Sequence, residues 1–137
     1  MSNLDRNLTI LLHIKGYCKE IFNTLEIINN NYGKYEESFI VKNSLCMDLL
    51  QIGELVNRLD SNYLEETKNE INWNQIRGMR NRLTHDYLKI DYDIVFNVVE
   101  NDIPELDDFL TKELKERYNL LLEEQNNNTE DNDEEEI

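Results

Sequence analysis

The chain has 137 residues, with 14 Lys and Arg against 29 Asp and Glu and a formal net charge of −15 at pH 7. One domain is expected at that length, and so acidic a chain excludes nucleic-acid binding over a broad basic face while leaving room for a small local site. Four glycines, no two closer than 17 positions, exclude a Gly-rich phosphate cradle, and two Cys and two His far apart exclude a spaced zinc cluster, so neither a metal nor a cofactor is expected.

One proline and long stretches of 3.6-residue periodicity predict an all-α protein, a four- to five-helix antiparallel bundle. The first helix starts near Asp5. Leu8, Leu11, Leu12, Lys15, Cys18, Ile21, Phe22, Leu25 and Ile28 recur at spacings of three and four as one stripe. Asn29, Asn30 and Asn31, with Gly33 beyond them, stop it. A second helix spans about residues 35–59, with Phe39, Leu45, Leu49, Ile52, Val56 and Leu59 as its spine. Gly53 inside it costs roughly 1 kcal/mol against Ala and marks a point where another helix crosses closely.

Residues 60–72 read as a loop with a short helical turn near 63–68. A third helix runs from Trp73 to about Tyr87, and Asp91 is the N-cap of the next. That helix carries Ile94, Val95, Val98 and Val99 until Pro104 kinks or restarts it. Leu106, Phe109, Leu110, Leu114, Tyr118 and Leu121 take the pattern to residue 122. Residues 123–137 hold eight acids, no base and almost no apolar residue. Such a tail cannot bury enough surface to order itself, so it is expected to be disordered and separate from the helical domain of residues 1–122. No apolar stretch reaches the length of a membrane span or a signal core, and Cys18 and Cys46 read as free buried thiols. A cytoplasmic protein with no membrane partner is expected.

One segment stands apart. Residues 76–89 hold four bases and one acid, and with them one of the two histidines. Wound at about 100° per residue, Ile76, Met79 and Leu83 share an apolar face. Arg80, Thr84, Arg77, Asn81 and His85 follow one another around the adjoining flank. Asn81 and His85 stand one turn apart and can touch, whereas Arg80 and His85 are about 140° apart. A neutral imidazole can take a proton from a ribose 2′-hydroxyl. A guanidinium can stabilise the charge on a phosphorane. The same pattern is also that of a solvated basic face. His13 reads as a packing or surface histidine.

The string Arg80, Asn81, Arg82, Leu83, Thr84, His85, Asp86, Tyr87 resembles the Arg-x4-His-x-Tyr signature of the HEPN superfamily, specifically its HepT-like toxin branch. Ile52-Gly53-Glu54 upstream and Pro104-Glu105-Leu106 downstream are similar to that family's flanking helices, so the likeness covers about residues 4–118. The resemblance implies a homodimeric, metal-independent endoribonuclease, the toxin of a type II/VII-like (HepT/MntA) toxin–antitoxin pair, with RNA as substrate. It implies catalytic roles for Arg80 and His85 and a supporting one for Asn81. It further implies silencing by a minimal nucleotidyltransferase antitoxin that adds AMP to Tyr87. Arg77 and Arg82 hold RNA phosphates or face water, and Glu54 reaches the site or a dimer contact. Asp86 bonds locally or lies in the dimer interface. Ideal helix geometry puts Tyr87 on the apolar face as a core residue; a helix ending near His85 would turn it towards the cleft. The alternative function is a non-catalytic HEPN module that binds a nucleotidyltransferase partner or a nucleotide.

Overall fold

In the computed structural model the backbone is described for residues 3–85 and 87–135, and side chains for residues 6–85 and 88–127. Four longer helices carry the fold: α1 (Asn3–Ile27), α3 (Phe39–Val56), α5 (Trp73–His85) and α7 (Ile103–Glu135). Short helices α2 (Tyr32–Glu37), α4 (Ser61–Thr67) and α6 (Tyr92–Asn97) join them, and no strand occurs among the described residues. The all-α bundle expected from periodicity is the architecture observed.

The helix ends follow from local chemistry. Asn29 and Asn30 both adopt φ of 52°, a left-handed conformation that Asn tolerates better than most residues. The Asn29 N–H donates to the Glu26 carbonyl and the Asn30 N–H to Leu25, closing α1 with a Schellman turn. Gly33, expected to share that task, has no positive φ and lies inside α2. The expected second helix is broken at Ser38, whose hydroxyl accepts the Val41 N–H and caps α3. Asp91 caps α6 as expected, accepting the Asp93 and Ile94 N–H groups. Between α6 and α7 the backbone widens into a π turn, Val98–Asp102, where the Ile103 N–H donates to Val98. Pro104 has no N–H to continue the α ladder, so the widened turn precedes it.

α1 packs against both α3 and α7, and α5 packs on α3. The core holds Leu11, Ile14, Cys18 and Ile21 from α1, Leu45, Ile52 and Val56 from α3, and Leu106 and Leu110 from α7. Four residues of the expected apolar pattern are on the outside: Leu12 is 54% exposed, Phe39 68%, Tyr118 58% and Ile94 41%. α1 has neighbours on two sides, which moves its buried stripe onto Ile10 and Ile14; Phe39 is the first residue of α3, at the edge of the bundle. Cys18 is buried, whereas Cys46 is only half-buried. The acidic stretch from Glu123 continues α7 as helix to Glu135, with residues 123–127 exposed. The exposure of residues 123–127 agrees with their polar composition. Leu120, Leu121, Leu122, Glu123 and Glu124, all good helix formers, lead into this helical backbone.

Two polar arrangements lie between helices. Tyr63 of α4 donates to Glu113 of α7 at 2.9 Å, and the Arg117 Nε donates to the same Glu113 oxygen at 3.4 Å. The Arg117 guanidinium sits 4.3 Å from the Tyr63 ring centroid. Asp48 of α3 is buried against Glu20 of α1, and its Oδ2 has no partner among the described residues. Burial, and the Glu20 carboxyl beside it, push Asp48 from 3.8 to about 7.

Candidate functional site

α5 is held at its start before it presents its polar flank. At its start the Trp73 indole N–H donates to Thr67 at 2.8 Å, and the ring packs edge-on against Phe109 at 5.6 Å. The Asn72 side chain accepts the Gln75 N–H, and Gln75 donates to Asp102 at 2.9 Å across the π turn. Met79 and Leu83 are buried, as the apolar face requires, while Asn81, Arg82, Thr84 and His85 are exposed.

The crossing of α3 and α5 is the closest point in the site. A Cβ on Gly53 would lie 2.2 Å from Arg80 Cβ and 2.7 Å from its Cγ. Only a hydrogen at position 53 lets the two helices meet there, and the residue seated on that gap is Arg80 itself. Its guanidinium is then gripped from one side. Arg80 Nε donates to Glu54 Oε1 at 2.6 Å, and Nη2 lies 2.5 Å from the same oxygen. Nη1 donates to Asn81 Oδ1 at 3.0 Å. A guanidinium has five N–H donors, so Nη1 and Nη2 keep donors for an anion. The Arg80 side chain is 25% exposed and Glu54 39% exposed, so the pair opens to solvent.

Asn81 therefore bonds to Arg80 rather than to His85, its expected neighbour one turn on. Arg80 is adjacent in sequence and brings a charged donor, which makes the stronger bond. His85 is exposed in the last turn of α5 and has no hydrogen-bond partner among the described residues. α5 ends at His85 and a 3₁₀ turn begins at Tyr87. The Tyr87 side chain and all of Asp86 lie outside the described residues, so neither expectation for them is decided here.

Arg77 is half-buried and its Nε has no partner among the described residues. It lines a cavity at the start of α5 with Lys68, Glu65 and Asn72, away from the Gly53 crossing. Arg82 is exposed, two residues from Arg80 on the other side of the helix. Thus Arg80, Asn81 and Glu54 form one bonded cluster, His85 on the same helix is exposed and outside it, and Arg77 and Arg82 flank them. The weight of Glu54 is the feature that spacing within α5 alone does not reveal; its signal was adjacency to Gly53.

A model of the HepT-like ribonuclease family matches residues 14–113. The chain belongs to the HepT-like ribonuclease family. A "Putative RNase" of Caldanaerobacter subterraneus subsp. tengcongensis is 27% identical over 106 residues, covering 77% of this chain and 88% of that protein. A "Putative RNase" of Methanocaldococcus jannaschii is 27% identical over 106 residues, covering 77% and 85%. A "Gamma-glutamylcyclotransferase and putative RNase" of the same archaeon is 28% identical over 108 residues, covering 75% of this chain but 48% of that protein. No solved structure matches. Among the described residues no helix is long and apolar enough to cross a membrane.

Proposed function

We propose that this HepT-like protein is a metal-independent endoribonuclease that cuts RNA through its own 2′-hydroxyl. The observation that carries the reading is the Arg80 guanidinium, seated on Gly53 and gripped by Glu54 and Asn81, on the same helix as an exposed His85. His85 takes the 2′-hydroxyl proton as the 2′-oxygen attacks phosphorus. The P–O5′ bond breaks, the leaving oxygen takes a proton from solvent water, His85 returns its proton to solvent, and a 2′,3′-cyclic phosphate and a 5′-hydroxyl remain. Arg80 stabilises the charge on the phosphorane, and its remaining donors suit a phosphate held from the open side.

The active form is a homodimer. Ile40, Met47 and Glu54 recur every seven residues along one side of α3, with Ile40 81% and Met47 54% exposed. This apolar strip runs up to the Arg80 cluster, so a second copy there would bring a second imidazole and a second guanidinium near one strand. In the cell the protein acts as a toxin, silenced when a nucleotidyltransferase antitoxin adds AMP to Tyr87. That adduct would place bulk and negative charge two residues from His85 and oppose RNA entry.

The test is RNA cleavage in excess EDTA by the wild type, Arg80→Ala and His85→Ala. The expected result is cleavage with cyclic phosphate ends by the wild type, none by either variant, and none of an all-deoxy strand. Cleavage of the all-deoxy strand would overturn the mechanism. An inert wild type that carries no adduct on Tyr87 and copurifies with a nucleotidyltransferase would favour a binding module instead.

A further inference from the structure

A second feature borders the site on the far side of His85. Between α5, the 3₁₀ turn Tyr87–Lys89 and α6 lies a cavity of about 240 Å³. Its floor is apolar, made by Met79, Leu83 and Val95, all buried. Its rim carries Arg82 and Lys89, both exposed. Neither has an ion pair or a hydrogen bond among the described residues. Among the described residues Asp91 is the one acid on the rim, and its Oδ1 is occupied by the Asp93 and Ile94 N–H groups of the α6 cap. The described rim residues thus carry two cations against one acid in a chain of net charge −15.

Position gives the cavity its meaning. On α5, Arg82 stands three residues before His85 and so neighbours it on the helix surface. Arg80 lies on the opposite side of His85. A strand with its reacting phosphate at Arg80 and His85 therefore passes over Arg82 next. The volume equals about eight waters at ~30 Å³ each, enough for a planar ring system. An apolar floor with a guanidinium and an ammonium at its edge matches a nucleotide, which pairs a flat ring with an anionic backbone. Arginine guanidinium planes also stack on unpaired bases.

The geometry points to this cavity as the slot for one unstacked nucleotide of the RNA strand, adjoining the phosphate that is cut. Its base enters between Met79, Leu83 and Val95, and Arg82 and Lys89 hold the neighbouring phosphates. This inference rests on the ribonuclease reading for its substrate, but its test does not depend on cleavage.

The experiment measures binding of a fluorescent single-stranded RNA to the full chain carrying His85→Ala, with and without Arg82→Ala and Lys89→Ala together. Affinity should fall about tenfold at 0.1 M salt, and the slope of log K against log salt should lessen by about 1.4, near 0.7 for each lost phosphate contact. Removing two exposed lysines elsewhere, Lys19→Ala with Lys34→Ala, should change affinity less than twofold. A 4-thiouridine RNA should crosslink to peptides within residues 79–95. Affinity within twofold for the Arg82/Lys89 pair, an equal loss for the control pair, or crosslinks confined to other helices would overturn the slot. If the wild type cuts no RNA yet binding and crosslinks behave as expected, the slot stands and the ribonuclease reading falls.

Discussion

Two of the arginine–carboxylate pairs among the described residues meet opposite surroundings. Arg117 and Glu113 on α7 are nearly sealed, with side chains 16% and 11% exposed, and they share the Tyr63 hydroxyl and ring. Arg80 and Glu54 lie across the α3–α5 crossing, 25% and 39% exposed. The first pair has its charge compensated within the fold and ties α4 to α7. The second is compensated from one side only, and its outer face meets solvent. The same two residue types make a clasp where they are enclosed and a poised cation where one side stays open.

That contrast can be broken most severely at Gly53. Gly53→Ala puts a methyl group 2.2 Å from Arg80 Cβ, so the helices must separate and the guanidinium must leave its grip. Cleavage should fall at least about 100-fold, with a stability loss of about 1–3 kcal/mol from overpacking. RNA cleavage kinetics beside a urea melt will show both. If activity survives, the crossing does not set the site.

The clasp should respond in the opposite currency. Glu113→Ala leaves the Tyr63 hydroxyl and Arg117 without their shared acceptor, which should cost about 3 kcal/mol. The activity of the fraction that stays folded should hold within about twofold. A larger fall in kcat than in stability would show that the two pairs are coupled.

Asp48 sharpens the comparison as a buried acid with no cation. Its carboxyl is raised from 3.8 to about 7 by burial and by Glu20. The folded state therefore holds a proton there more tightly than the unfolded chain does. That costs nothing below about pH 4, and the cost grows as pH rises and is complete above about pH 7. Asp48→Asn should raise stability at pH 8 by up to about 4 kcal/mol and leave it little changed near pH 4, as measured by melts across that range.

The smallest effect is expected at Gly78, on the same helix as Arg80. A Cβ there meets nothing within 4 Å. Gly78→Ala should stabilise the protein by about 0.5–1 kcal/mol through helix propensity and leave cleavage unchanged. With Gly53→Ala it separates a glycine kept for contact from one that is not.

The site was legible in part. Residues 73–85 declared a helix with an apolar face and a polar flank, and Gly53 declared a close crossing. The partner in that crossing was not legible, because spacing along one helix says nothing of what a second helix presents. Asn81 and His85 share a face by period alone, yet Asn81 turns to Arg80 because a charged donor is nearer. Periodicity also placed Leu12 and Phe39 inside, though both are largely exposed. Which part of an apolar stripe is covered depends on how many neighbours a helix has.

By itself the sequence determined the elements: helical period, the Asn run and Asp91 as chain punctuation, a local cation cluster in an acidic chain, and a motif with its family. These are set by interactions within a few residues, which order in the chain encodes directly. Only the tertiary structure decided that Gly53 lies beneath Arg80, that Glu54 grips its guanidinium, and that Glu113 is enclosed where Glu54 is open. Those outcomes come from packing between segments 26 to 50 residues apart, where steric fit and solvent access are fixed by the whole bundle.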